Sequence, residues 1–303
     1  MVSQRFAPRF LPAERASRMD SPAPSFWDRH SFAIRRLHSL SGLIPVGAYM
    51  VVHLAVNASV LGGAARLQSN VANIHKFGPM LPFLEWTFIF IPILFHAIIG
   101  VAIVAGGLPN THNYPYQANY RYTLQRITGV IAFFFIALHV FHMHGWFHNH
   151  WWMEYVVGPI GGGQFKPYNA TSTAGLALQP ITVTIVYLVG VLACVFHLAN
   201  GIWTMGITWG VWTSPAAQRR ALGVCTVFGV LLAAVGLSAL FGLRAAVNTK
   251  DKLDQVREHE AVMVEHDIEA GLLDKEAIEH KRSTPESSED DVQASARSRD
   301  GRQ

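Results

Sequence analysis

The sequence has few charged residues for its length. Only 15% of the 303 residues are charged, whereas soluble domains usually have about 25%. Acidic residues are scarcest in the first 243 residues, which contain five of them against 14 lysines and arginines. These basic residues lie between long apolar stretches rather than along one soluble face, so the positive charge does not predict nucleic-acid binding. The composition instead predicts an integral membrane protein that contacts lipid.

Cysteine is almost absent. Cys194 and Cys225 are the only two, and both lie within apolar stretches. An iron–sulfur cluster needs more thiolates than these. The sequence also lacks the C-x-x-C-H motif for covalent haem attachment and the G-x-G-x-x-G motif for dinucleotide binding. Any metal chemistry must therefore depend on histidine.

Five apolar stretches are long enough to cross a membrane, which takes about 20 residues. They are Leu37–Leu61, Pro82–Leu108, Tyr122–Met143, Pro180–Gly206 and Ala221–Leu243. We therefore predict an all-α fold, a five-transmembrane-helix bundle over residues 35–243, preceded by an N-terminal segment at 1–34. Residues 244–303 form a tail with 25 charged residues. Its composition predicts a polar helix outside the membrane over 249–281, followed by disorder.

Lysine and arginine are distributed unevenly between alternate loops. The N-terminal segment and the second and fourth loops contain eleven of them, and the first and third loops contain three. Because membrane proteins keep their basic loops in the cytoplasm, this bias predicts a cytoplasmic N-terminus and a tail on the opposite side. We call the predicted cytoplasmic end of the bundle the inner end, and the opposite end the outer end.

Four of the five predicted helices have one histidine deep within the apolar stretch, namely His53, His96, His139 and His197. An ionisable residue inside a membrane indicates function, although a single histidine is equally explained by a hydrogen bond to a neighbouring carbonyl. At 1.5 Å per residue, His53 and His139 lie in an outer layer and His96 and His197 in an inner layer, about 10 Å apart. Each layer can supply two axial imidazoles to one haem, which favours electron transfer over oxygen binding.

Five fragments occur in a characteristic order between about Arg35 and Leu243. They are RRLHSLSGLIPVGAYMVVHLAVN, LPFLEW with IPILFHAIIG, LQRITGVIAFFFIALHV, FHLANGIWTMGITWG and SPAAQRR. Together they resemble the single-chain, five-helix, di-haem cytochrome b subunits of succinate dehydrogenases and fumarate reductases. The resemblance implies two haems b, with His96 and His197 ligating the inner one and His53 and His139 the outer one. It does not include the two ends of the chain or residues 145–179.

The resemblance implies the membrane anchor of a succinate:quinone oxidoreductase in the bacterial cytoplasmic membrane. A flavoprotein subunit and an iron–sulfur subunit would bind at the cytoplasmic face, because this chain by itself would not oxidise succinate. Electrons would pass through both haems to a quinone, with menaquinone as the expected acceptor, and the complex could form a higher oligomer. Two alternatives stay open: a cytochrome b subunit of another dehydrogenase or hydrogenase, and a haem-free transporter whose histidines carry protons.

His38 and Arg126 lie near the predicted inner ends of the first and third helices. We predict that His38 is too shallow to join either histidine pair. It is either an interfacial histidine or part of a basic cluster that pairs with haem propionates or docks the soluble subunits. Arg126 is a similar candidate, because a guanidinium can bind a carboxylate bidentately.

Titratable side chains are concentrated near the predicted outer end. Glu85 is the only acid at the outer end of the second helix, about 16 Å above His96, and the resembled family also has an acid there. His142 and His144 follow His139 in a stretch rich in histidine and tryptophan. All three are candidates for proton exchange at a quinone site, because imidazole titrates near neutral pH. The alternatives for the histidines are an interfacial belt anchored by tryptophan and adventitious divalent-metal binding.

Overall fold

The computed structural model of the protein describes residues 25–107, 111–147 and 149–283, and all regular secondary structure in these residues is helical. In chain order the α-helices are α1 (Phe26–Ser41), α2 (Ala48–Ala58), α3 (Ala64–His75), α4 (Met80–Glu85), α5 (Ile91–Ala105), α6 (Gln117–His144), α7 (His150–Trp152), α8 (Ala170–Ala177), α9 (Ile181–Thr208), α10 (Pro215–Ala246), α11 (Lys250–Glu269) and α12 (Lys275–Ile278). The predicted all-α fold is confirmed. Leu108, most of the N-terminal segment and the predicted disorder after residue 283 lie outside the described residues.

Five helical stretches are long and apolar enough to cross a membrane, as predicted. Spans 1 to 5 are Arg29–Gly62, Met80–Ala105, Gln117–His144, Ile181–Thr208 and Pro215–Ala246. The largest difference from the predicted boundaries is at span 1, because α1 begins at Phe26. Residues 26–34, which we assigned to the N-terminal segment, are therefore part of the first helix.

Span 1 is broken near its middle. Residues Gly42–Gly47 form one wide turn in which Ile44 leaves the helical conformation (φ −130°, ψ 116°) next to Pro45. Proline inside a helix lacks a backbone donor and collides with the preceding turn, which commonly kinks the helix. The inner part of span 1, α1, packs against α5 of span 2, whereas the outer part, α2, packs against α10 of span 5.

Span 4 is the central helix of the bundle. Its helix α9 packs along α6 of span 3 and along α10 of span 5. Leu198 and Val195 of α9 form a buried apolar cluster with Leu54 of span 1 and Leu232 of span 5. Val195 and Leu198, on either side of His197 in the sequence, therefore pack its helix against spans 1 and 5.

The outer loops and the C-terminal tail form a packed layer over the outer end of the bundle. Helix α11 of the tail packs against α3, which follows span 1, and against α8, which precedes span 4. Leu253 and Val256 of α11 are buried against Val247 and contact Leu176 of α8. The predicted tail helix is therefore present over Lys250–Glu269, but it does not continue unbroken to residue 281, because a turn separates it from α12. One of its faces is buried against other parts of the chain.

Glu260 fixes the tail to α8. Its side chain is 0% exposed, and its carboxylate accepts hydrogen bonds from the backbone N–H of Thr171 (2.7 Å), the backbone N–H of Ser172 (3.0 Å) and the hydroxyl of Ser172 (2.5 Å). These N–H groups belong to the first turn of α8, which has no intrahelical acceptor for them and favours a negative charge. Burial raises the pKa of Glu260, and the same hydrogen bonds partly oppose this rise.

We expect Glu260→Ala to loosen the tail from the outer layer. The substitution leaves the buried N–H groups of Thr171 and Ser172 without an acceptor, which costs about 1–3 kcal/mol for an unsatisfied group. The rate at which a protease cleaves the tail of the detergent-solubilised protein measures this loosening. Glu258→Ala is the matched control, because Glu258 is exposed on the same helix. Equal cleavage rates in the two variants would contradict the proposed clamp.

The raised pKa of Glu260 also predicts the sign of a pH effect. In the docked tail the carboxyl binds its proton at higher pH than in a released tail, where the pKa returns to its ordinary value. Docking of the tail is therefore strongest at pH values below the ordinary pKa of the carboxyl group. It weakens as the pH rises through the raised pKa of the docked tail. Glu260→Gln should abolish this dependence of the cleavage rate on pH.

Candidate functional site

The structure brings the four span histidines together in two pairs. The ring centres of His53 and His139 are 5.8 Å apart, with the ring planes at 76°. Those of His96 and His197 are 6.1 Å apart, with the planes at 86°. Two imidazoles that bind one metal ion from opposite sides have ring centres about 6 Å apart, since each metal–imidazole bond is about 2 Å long. The separation within each pair therefore fits two imidazoles that would hold one metal ion between them.

Backbone carbonyls hold both rings of the inner pair. Nδ1 of His96 lies 2.9 Å from the carbonyl oxygen of His38, and Nδ1 of His197 lies 3.0 Å from the carbonyl oxygen of Gln125. Because a carbonyl oxygen can only accept, each Nδ1 carries the proton and donates. Each Nε2 is then free to bind a metal, as is usual for histidine ligands oriented by a second hydrogen bond.

A glycine lies against each ring of the inner pair. A Cβ added at Gly129 of α6 would lie 2.8 Å from Cε1 of His197, and one added at Gly42 would overlap the ring of His96. Only glycine allows this close approach of backbone to ring. The two glycines therefore maintain the space in which the inner imidazoles sit.

His38 lies beside the inner pair, which corrects our prediction that it is too shallow to reach either pair. Its ring stacks on the ring of His96, with centres 4.1 Å apart and planes within 11°. The predicted depth of His38 was too small, because α1 begins at Phe26. His38 therefore lies about 18 Å along the helix. A role of His38 in binding propionates or docking subunits stays a prediction.

Arg126 is hydrogen-bonded to the inner end of span 2. Its guanidinium donates to the carbonyls of Ile103 (3.2 Å), Val104 (3.3 Å) and Gly107, and it stacks on the ring of Tyr122 at 4.3 Å. A cation at the C-terminus of a helix satisfies carbonyls that have no intrahelical donor. The described contacts thus give Arg126 a role in capping span 2, and its pairing with haem propionates stays a prediction.

Two tyrosines that the sequence analysis did not single out surround the outer pair. The hydroxyl of Tyr187 lies 3.3 Å from Nδ1 of His139 and 2.8 Å from Nδ1 of His142, so it bridges the two imidazoles. The ring of Tyr49 stacks on that of His53, with centres 5.5 Å apart. Tyr49 could have been found from its position one turn before His53, where helical side chains share a face.

The quinone-site candidates are linked to different residues around the outer pair. His142 is joined to His139 through Tyr187, and His144 is within electrostatic reach of His139. Glu85 is instead within electrostatic reach of Tyr49 on span 1. Among the described residues, no hydrogen bond or ion pair joins Glu85 to His142. The structure therefore joins His142 directly to the outer pair, and it links Glu85 to a different part of the bundle.

Comparison with known proteins identifies a relative that this chain covers almost completely. The chain is 35% identical over 213 residues to the succinate dehydrogenase cytochrome b558 subunit of Bacillus subtilis (strain 168). The match covers 96% of that protein and 69% of this chain. No family model matches the chain. Almost all of the relative is thus represented here, and this chain has additional residues outside the match.

Proposed function

Because this chain belongs to the succinate dehydrogenase cytochrome b subunits, it is the membrane-anchor subunit of a succinate dehydrogenase, and we propose that it uses two haems b to pass electrons to a quinone. In this proposal His96 and His197 hold the inner haem iron, and His53 and His139 hold the outer one. The observation that carries the proposal is the pairing of four histidines from four spans, with ring separations of 5.8 and 6.1 Å. Bound haem supplies one-electron transfer.

The chain's own residues position these ligands. The carbonyls of His38 and Gln125 fix the tautomer of the inner imidazoles, and Tyr187 orients His139 by the same kind of hydrogen bond. In a membrane, lipid and the apolar side chains of the spans would exclude water from both pairs. A site of low polarity with fixed ligands is suited to electron transfer because little reorganisation accompanies a change of charge.

We place the soluble flavoprotein and iron–sulfur subunits at the inner end. The distribution of lysine and arginine supports a cytoplasmic inner end. Phe26, Trp27 and Phe32 support an interaction surface there, because these large apolar side chains at the start of α1 are 53–65% exposed. The outer end, with Glu85, His142 and His144, is the proposed quinone end, and menaquinone is the acceptor that we expect by family resemblance.

Co-purification tests this function directly. An affinity tag on this chain should recover a flavoprotein and an iron–sulfur protein from detergent-solubilised membranes, and the complex should oxidise succinate. The reduced-minus-oxidised visible spectrum should show two b-type haems per copy of this chain. Recovery of a hydrogenase or formate dehydrogenase, or a spectrum without haem, would contradict the proposal.

A further inference from the structure

A cavity of about 460 Å³ lies between spans 3 and 4 near the inner end of the bundle. Its polar lining includes Arg121, Gln125, Asn200 and Thr204, together with Asn119 and Tyr122, and Trp203 contributes an aromatic wall. Ala118, in the first turn of α6, also lines the cavity and is exposed. The cavity therefore reaches the surface of the bundle, and Arg121, Gln125 and Thr204 in its wall are half-buried.

A hydrogen-bond network holds Arg121 in the wall of this cavity. Nη2 and Nε of Arg121 both donate to Oδ1 of Asn200, at 2.6 and 3.1 Å. Asn200 is 6% exposed, and its Nδ2 donates to Oε1 of Gln125 at 2.7 Å. The guanidinium also lies over the ring of Trp203, 3.8 Å from its centre. The charged group is thus fixed in position by a buried amide and an aromatic face.

The charge of Arg121 is not balanced by an acidic side chain. Glu85 is the only acid in the five spans, and it lies at the outer end of span 2. Among the described residues Arg121 forms no ion pair, and the amide oxygen of Asn200 is a neutral acceptor. A fixed cation at low dielectric is stabilised by an anion close to it. The remaining guanidinium edge and the cavity beside it can accommodate such an anion.

The depth of the site matches the phosphate region of a membrane. Arg121 lies about 6 Å from the start of α6, and Asn200 about 12 Å from the end of α9. Tryptophan, present here as Trp203, is enriched at this level. Basic pockets between transmembrane helices on the cytoplasmic side bind the headgroups of anionic lipids. We propose that the Arg121 cavity binds the phosphate of one anionic phospholipid, whose headgroup lies between spans 3 and 4.

A haem propionate is a less suitable anion for this cavity. Nδ1 of His197 donates to the carbonyl of Gln125, which is on the cavity side of the ring. Nε2, the other nitrogen of this ring, would bind the metal, and the rings of His197 and His96 meet edge-on with their centres 6.1 Å apart. A haem iron bound by this pair would be held between His197 and His96, whereas Arg121 is joined through Asn200 to Gln125, whose carbonyl bonds the other nitrogen of His197. This inference goes beyond the proposed electron-transfer function and does not depend on it.

Native mass spectrometry of the solubilised complex tests the lipid site. After exchange into detergent with added phosphatidylglycerol, the wild-type complex should retain one phosphatidylglycerol that added phosphatidylcholine does not displace. Arg121→Gln should lose that lipid. Arg220→Gln is the matched control, because it removes the same charge from an exposed position on α10, and it should keep the lipid.

A second variant tests the cavity without removing the charge. Ala118→Trp should fill the opening, leave Arg121 in place and also lose the retained lipid. Retention of the lipid in Arg121→Gln or in Ala118→Trp would overturn the proposal, and so would a wild-type complex that retains none. Loss of the inner-haem absorbance in Arg121→Gln with the lipid still bound would identify a propionate as the partner instead. The proposal would also be overturned if the molecule retained by the complex were a quinone instead of a phospholipid.

Discussion

Replacing His53 or His139 with alanine should remove the outer haem b and leave most of the inner one, and replacing His96 or His197 should do the reverse. Removal of one imidazole of a pair would leave a bound haem iron with one protein ligand instead of two. Because the pairs lie in separate layers and share no hydrogen bond among the described residues, the loss in one layer should not extend to the other. Alanine also leaves a cavity where the imidazole was, which weakens packing locally.

The reduced-minus-oxidised spectrum and a redox titration measure these losses separately, provided that the two haems differ in absorbance or midpoint potential. His75→Ala is a suitable control, because it makes the same substitution at a histidine of α3, outside the spans, that bonds the carbonyl of Val71. The His75→Ala variant should retain both haem components of the spectrum. If the His53 and His96 variants abolish the same spectral component, the pairing of the ligands is wrong.

The pairing could be predicted from the sequence because it depends on helix length alone. A rise of 1.5 Å per residue places His53 level with His139 and His96 level with His197, even when the helix ends are uncertain by several residues. His38 shows the limit of the same reasoning. The first turns of α1 contain polar and basic residues, so hydrophobicity placed the start of the helix at Leu37, whereas the helix continues inward to Phe26.

Contacts between elements could not be predicted in the same way. Leu253, Val256, Glu260 and Val264 recur at helical spacing along α11 and are all buried, and a stripe of this kind can be recognised in a sequence. The surface that this stripe packs against cannot be recognised in the sequence. Glu260 resembles the many other acids of the tail until the structure places the start of α8 against it. The bridge from Tyr187 to His139 and His142 depends equally on how spans 3 and 4 are rotated against each other.

Glu85→Gln should slow quinone reduction, by about 100-fold if Glu85 is the proton donor, while both haem spectra stay intact. A quinone that takes two electrons also takes two protons, and the proposed acceptor lies at the outer end. Glu85 is the only acid of the five spans and lies near Tyr49, whose ring stacks on that of His53. Glutamine has nearly the same shape and cannot release a proton, so the substitution tests proton transfer rather than packing.

Proton uptake at the outer end would couple turnover to the membrane potential. Electrons that come from the cytoplasmic side would meet protons from the other side, and each charge moved is worth about 2.3 kcal/mol per 100 mV. This energy would matter for an acceptor of lower potential than succinate, as menaquinone is by family resemblance. Turnover in sealed vesicles should therefore depend on the imposed potential in the wild type.

The assay that isolates Glu85 compares two acceptors in the same complex. Glu85→Gln should lower the rate with quinone and spare succinate oxidation with an artificial soluble acceptor, which takes electrons before they reach the outer end. Glu154→Gln is the matched control, since Glu154 is an exposed acid of the outer loop that pairs with His150 at 3.0 Å. Unchanged quinone turnover in Glu85→Gln would remove this residue from the mechanism. Unchanged turnover in a combined Glu85, His142 and His144 variant would place the quinone at the inner end, near His38.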